Sequence, residues 1–309
     1  MVLQMQFTNF TLTVKSLVTN MTKGIILKGI GGFYYVETAE RIIECRARGV
    51  FRKKDVKPLP GDYVEIDELQ DGTGSVVNIL ARKNSFIRPP IANLDCLVIV
   101  AAAKDPNPDL KFIDKMLVIC ESKGVLPIVC FNKCDLTADY EKYAEVYREI
   151  GYKVIETSTV ENTGIDELKR SIFGKTVAFA GFSGVGKSSL MNKIFDGLNL
   201  ETGDISRKLN RGRHTTRHVE LYKYDDNSYI ADTPGFSMLE IYDVDECELE
   251  NYFIEFSRFS PDCKFSGCAH LAGKHCGVIN AVDNGEIDSG RYENYLDFYQ
   301  TIKNNKEKY

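Results

Sequence analysis

The hydrophobic pattern of this chain changes its period once. Between residues 23 and 82 apolar positions come in short runs, at 24–28, 32–38, 41–47, 62–66 and 74–80, separated by Gly, Pro and Asp turns. About five short strands in about 60 residues predict a small closed barrel, with the OB-fold the leading candidate. Residues 84–93, with Arg88-Pro89-Pro90, read as a linker. From residue 94 buried strands (94–101, 125–131, 152–156, 177–180) alternate with helices (109–123, 137–150, 164–173). The first of these helices repeats Leu110, Ile113, Leu117 and Cys120 at helical spacing. Such alternation predicts a parallel sheet covered on both faces. Near the end, 246–259 and 291–303 read as helices, and 303–308 is a short polar tail.

Composition changes this picture little. At 309 residues there is room for two or three domains, and a net charge of −5 argues against a surface wholly given to coating nucleic acid. A local exception lies in residues 41–57, where Arg41, Arg46, Arg48, Arg52, Lys53, Lys54 and Lys57 face only Glu44 and Asp55. With Phe33, Tyr34, Tyr35 and Phe51 nearby, this surface fits one that tracks a phosphate backbone and stacks bases. A solvated loop beside core aromatics is the alternative. No run of about 18 apolar residues exists to span a membrane. Residues 1–20 lack a signal-peptide pattern, and Met21-Thr-Lys-Gly reads like a second beginning, with 1–20 either a loose extension or the product of an upstream start. Six of the nine cysteines (Cys45, Cys96, Cys120, Cys130, Cys134, Cys247) are scattered and read as small hydrophobes in a reducing cytosol, so a cytoplasmic location is expected.

The chemistry concentrates in three places. Gly181-Phe182-Ser183-Gly184-Val185-Gly186-Lys187-Ser188, then Ser189, follows an apolar strand and opens an amphipathic helix in the pattern G-x-x-x-x-G-K-[ST]. The glycines let backbone N–H groups curl around phosphates, and the helix start adds partial positive charge. Lys187 can reach the β- and γ-phosphates and stabilise the transferred group, and the Ser188 hydroxyl can ligate Mg²⁺. Asn132-Lys133-Cys134-Asp135 sits at the end of a buried strand, the edge where open α/β sheets bind ligands. The Asp135 carboxylate can accept from both N1–H and the 2-amino group of guanine, a donor pair adenine lacks, so it would select GTP over ATP. The Asn132 amide can meet the O6/N7 edge of the base or brace the phosphate loop, and the Lys133 stem can lie on the base plane. Thr157, Ser158 and Thr159, after the next strand, are placed to support guanine O6 through backbone N–H groups. Asp232-Thr233-Pro234-Gly235 also follows a strand. Its aspartate can hold a Mg²⁺-bound water, and the Gly235 N–H can sense the γ-phosphate. Between them, Thr215 or Thr216 can complete the Mg²⁺ shell, or the segment is a basic surface loop. Phe236, where a water-orienting glutamine is common, cannot orient water, so hydrolysis should depend on a partner or another residue, with His214 and His218 as candidates. Finally, Cys263, Cys268, His270, His275 and Cys276 fall within 14 positions. Three thiolates and one imidazole would close a structural tetrahedral zinc site.

The guanine-reading motifs precede the phosphate loop, the reverse of ordinary small GTPases. In this order, and in N-K-C-D, G-F-S-G-V-G-K-S-S, G-R-H-T-T-R, D-T-P-G-F and the terminal cysteine cluster, residues 21–309 resemble the ribosome small-subunit-dependent GTPase A family. The resemblance implies a multidomain chain. A small all-β OB-fold barrel that binds RNA (21–83) and the linker would precede a circularly permuted α/β P-loop GTPase domain (94–242) and a helical zinc-binding domain (243–309). It implies Cys263, Cys268, His270 and Cys276 as the zinc ligands, with His275 a rival, and His214 and Thr216 as the matching switch residues. It also implies GTP hydrolysis with Mg²⁺ during maturation of the small ribosomal subunit, with that subunit and its rRNA as partners. A monomer without membrane attachment is expected. An RNA-binding scaffold that holds GTP only as a regulatory ligand is the competing reading, and a P-loop ATPase or kinase is disfavoured by Asp135.

Overall fold

The computed structural model describes residues 21–49, 51, 56–195, 219–232, 236, 239–241, 243–273 and 275–306. Residues 1–20, Arg52 to Lys54, His214, Thr215, Thr216, His218 and Gly235, and the side chain of Asp232, lie outside what it describes.

Five strands, β1 (Thr22–Ile30), β2 (Phe33–Thr38), β3 (Ile42–Ala47), β4 (Tyr63–Glu68) and β5 (Gly74–Ile79), close in the order β1-β2-β3-β5-β4-β1. The strand alternation decides what each face does. Ile26, Val36, Ile43, Val64, Ile66 and Val76 fill the barrel. Ile25, on the opposite face of β1, packs into the core of the neighbouring domain. Tyr34 and Phe51 belong to the barrel core too, and they are therefore not surface stacking platforms.

The segment read as a linker is folded. Here β6 (Ser85–Phe86) and β7 (Ile91–Ala92) form a hairpin whose Phe86, Ile91 and Ala92 are buried. Two-residue strands carry no readable period, which is why the sequence showed only prolines there.

The second domain alternates β8 (Cys96–Ala102), α1 (Leu110–Lys123), β9 (Leu126–Asn132), α2 (Glu141–Ile150), β10 (Lys153–Thr157), α3 (Ile165–Ile172), β11 (Thr176–Ala180), α4 (Lys187–Ile194), β12 (Glu220–Asp225) and β13 (Ser228–Asp232). Its strands lie in the order β10-β9-β8-β11-β13-β12, all parallel except β12. Helices α1 and α2 cover one face, and α3 and α4 the other. At β12 the sheet runs on into the barrel, where Lys28 of β1 pairs with Glu220 and their side chains bond at 2.7 Å.

The expected helix at 246–259 is instead a series of 3₁₀ turns, Leu249–Tyr252, Ile254–Arg258 and Ser260–Asp262. Three-residue spacing sets Phe253 and Phe256 side by side against Tyr295. After α5 (Gly277–Asp283), helix α6 (Ser289–Lys306) returns along α1. The core runs unbroken across residue 243, since Phe253, Val278, Tyr295 and Phe298 share one cluster with Ile113, Leu117 and Tyr147. A buried charge network ties the two together. Arg291 bonds Glu255 at 2.8 and 3.0 Å and Asp114 of α1 at 2.7 Å, while Tyr147 and Asn294 also donate to Asp114.

Among the described residues no helix is long and apolar enough to cross a membrane.

Candidate guanine-nucleotide site

The fully buried strand β11 delivers the chain to Gly181, flanked by β8 and β13. Here the packing leaves no room for a side chain. A β-carbon on Gly181 would lie 2.4 Å from the Val100 carbonyl oxygen, and one on Gly186 (φ +93°) 2.3 Å from Asn132 Nδ2. Val185 anchors the loop inward, and Lys187 opens α4 with its Nζ donating to the carbonyls of Gly181 (2.7 Å) and Phe182 (2.8 Å). The Phe182 ring turns away to pack on Phe112 of α1, with centroids 4.6 Å apart. That residue therefore offers the loop interior only its backbone.

Parallel pairing of β9 with β10 sets Asn132 beside Thr157, and this register organises the base side of the site. Asn132 is fully buried, donates from Nδ2 to the Val185 carbonyl at 2.9 Å and accepts from Thr157 Oγ1 at 3.0 Å. Of the two roles open to its amide, the bond to the phosphate loop is the one in place. Lys133 takes a left-handed backbone (φ +63°) and donates from Nζ to the Asp105 carbonyl. Its stem passes Gly186, whose β-carbon would lie 3.9 Å from Lys133 Cε. Asp135 is exposed on the turn Cys134–Leu136, and one of its oxygens accepts from the buried Ser158 hydroxyl at 2.5 Å. Asp105 carried no sequence signal of its own, and Thr157, read with Ser158 and Thr159 as backbone support for the base, uses its hydroxyl on Asn132, a contact that depends on which strand ends lie side by side.

Asp232 ends β13 on the same edge of the sheet. Four positions on, Phe236 is fully buried, its ring edge-on to Phe86 of the β6–β7 hairpin at 5.5 Å and 71°.

The cysteine cluster forms a second site. Cys276 Sγ lies 3.8 Å from Cys263 Sγ, 3.9 Å from Cys268 Sγ and 3.3 Å from His270 Nδ1. Zinc–sulfur bonds of about 2.3 Å in a tetrahedron give sulfur–sulfur edges of about 3.8 Å, so the donor set fits that ion. His270 Nε2 is 2.6 Å from Glu250, the carboxylate that fixes a ligating imidazole. His275 is exposed and outside the cluster. Away from it, burial pushes the Cys45 thiol up to about 11 and those of Cys96 and Cys130 up to about 12, consistent with inert packing. Cys247 is the exception, being exposed.

Comparison with known proteins follows the same division. The family model for the RsgA GTPase matches residues 79–242, and that for the RsgA N-terminal domain matches 23–76. The small ribosomal subunit biogenesis GTPase RsgA of Geobacillus sp. (strain WCH70) is 47% identical over 294 residues, covering 94% of this chain and 100% of the relative. Its counterpart in Ruminiclostridium cellulolyticum is 46% identical over 289 residues, with 92% and 94% covered. Among solved structures, YjeQ from Thermotoga maritima superposes with a TM-score of 0.79 at 37% identity, covering 91% of this chain and 98% of that one. YloQ, described as a circularly permuted GTPase, gives 0.78 at 38%, covering 92% and 96%.

Proposed function

The chain belongs to the RsgA GTPase family, and on that premise we propose that it hydrolyses GTP during maturation of the small ribosomal subunit. One observation carries the nucleotide reading above the others. The bond from Asn132 to Val185 holds the N-K-x-D strand end against the phosphate loop, although the two are 53 residues apart. In this reading Asp135, steadied by Ser158 and flanked by Thr159, selects guanine, and Lys133 lies along the base. Backbone N–H groups of 181–189 cradle the phosphates. Lys187 shifts from its carbonyl partners to the β- and γ-oxygens, where it stabilises charge in an in-line attack by water. Ser188, Asp232 and Thr216 would hold Mg²⁺, which neutralises phosphate charge when bound. Gly235 senses the γ-phosphate. Phe236, sequestered against Phe86, leaves water orientation to His214 or to the partner.

Cys263, Cys268, His270 and Cys276 would hold one structural zinc ion. The barrel is proposed to grip rRNA, through a narrower surface than its basic run suggests. Arg41 and Arg48 are already paired with Glu68 (3.0 Å) and Asp67 (2.8 Å). Arg46, stacked on Phe33 at 4.5 Å, keeps an aromatic and a cation together at the surface. The protein would act in the cytoplasm as a monomer.

Turnover with isolated ribosomal subunits tests the function. Small subunits should raise kcat at least tenfold and large subunits should not, and His214→Ala should lower the stimulated rate while GDP still binds. A scaffold that merely holds GTP would show no stimulation by either subunit.

A further inference from the structure

The hairpin between the barrel and the GTPase domain has a place in the reaction that its sequence does not announce. On the barrel side it is stapled by one backbone and one side-chain hydrogen bond. Ala92 N–H donates to the Pro60 carbonyl at 2.9 Å, and Asn93 Nδ2 to the Gly61 carbonyl at 2.9 Å. Gly61 (φ +88°) approaches so closely that a β-carbon there would lie 2.0 Å from the Ala92 oxygen. The preceding segment is held as firmly, since Arg82 forks onto the fully buried Asp62 at 2.7 and 2.8 Å. Asn84 and Leu94 exchange two hydrogen bonds across the base of the hairpin, at 2.9 and 3.0 Å.

Ile91 of β7 pairs with Phe86 of β6, and the Phe86 ring meets Phe236. Phe236 is the residue next to Gly235, whose N–H is the proposed γ-phosphate sensor. Barrel, hairpin, Phe86 and Phe236 thus form one run of direct contacts that ends at the residue following Gly235 in the chain. Beside this run lies a cavity of about 260 Å³, bounded by Phe86, Ile87, Ile119, Leu239 and Val244. The Phe86 side chain itself stays in the core that it shares with Ile119 of α1, beside this cavity.

We propose that Phe86 is a positioning residue for GTP hydrolysis, through which the placement of the barrel on RNA sets the D-T-P-G segment. The proposal rests on the function given above and adds the route by which the partner acts. It separates two kinetic quantities. GDP has no γ-phosphate for Gly235 to meet, so its affinity should not feel Phe86, whereas kcat should. By reciprocity, a GTP analogue should alter RNA affinity by the same factor that RNA alters analogue affinity.

The test compares wild type, Phe86→Ala, Phe86→Leu, Phe236→Ala and the double alanine variant as full chains. GDP affinity, KM for GTP, and kcat with and without saturating small subunits are measured on each. Phe86→Ala should lower the stimulated kcat about tenfold, with GDP affinity and KM within about twofold of wild type. Phe86→Leu, which keeps most of the apolar volume and folds more readily, should lose about threefold. The double variant should fall no further than the worse single variant, because both side chains act in one contact. Unchanged kcat, additive losses, or a fall in GDP affinity parallel to kcat would each overturn the proposal. If wild type showed no stimulation the wider function would fail. The basal-rate comparison of Phe86 with Phe236 would still decide the contact.

Discussion

Replacing Asp135 by asparagine is expected to cut GDP affinity at least about a hundredfold while raising affinity for xanthosine diphosphate. The direction follows from how the carboxylate is held. Ser158 donates to one oxygen at 2.5 Å, and in the variant the amide oxygen keeps that partner. The amide nitrogen then turns toward the base, where guanine presents its own N1–H and amino donors. Two charge-assisted hydrogen bonds are lost, each about 1.5–3 kcal/mol, and donor is set against donor. Xanthine carries a carbonyl where guanine carries the amine, so it accepts from the new amide. Competition of the two diphosphates against a fluorescent nucleotide reads the change. A variant that loses both alike would mean that Asp135 shapes the loop and does not read the base.

The second large effect is expected on removing the zinc ion proposed for Cys263, Cys268, His270 and Cys276. Chelation, or Cys276→Ser, should lower the unfolding midpoint by roughly 10 °C or more, a loss of several kcal/mol. The damage should not stay local. Glu250 would lose the imidazole it orients. The 3₁₀ segment carrying Glu255 would loosen, leaving Arg291 with part of its charge compensation in a site where it is only 2% exposed. Breaking such a buried network costs about 3–5 kcal/mol. Arg291 also bonds Asp114 on α1, and α1 packs on Phe182 of the phosphate loop, so nucleotide affinity should fall together with stability. Calorimetry with metal analysis checks this. Purified chain that holds no zinc and melts unchanged in chelator would refute the assignment.

What the sequence made legible were strings whose chemistry is contiguous. The phosphate loop, N-K-x-D and the cysteine cluster each need particular residue types at fixed short spacing, and the folded chain brings each set together. The permuted order was legible for the same reason, and strand order β10-β9-β8-β11-β13-β12 restores the spatial arrangement from a rotated chain. Contacts made across long separations were not legible. Thr157 supports Asn132 because β9 and β10 are in that register, and Glu250 meets His270 only because the 3₁₀ turns fold over the cluster. Arg291 and Asp114 are 177 residues apart, and neither has a neighbour in sequence that hints at a buried charge. Residues 41–57 were the reverse case, where the sequence suggested more free charge than the fold leaves. Glu68 and Asp67, on a strand far along the chain, neutralise two of those arginines.

The most direct measurement is an equilibrium competition of GDP and ADP for the full-length wild-type chain. Joined as one site, Asp135 and the loop at Lys187 predict GDP binding at least about a hundredfold tighter than ADP, the worth of two charge-assisted hydrogen bonds to the base. Equal affinity for the two nucleotides would contradict the account.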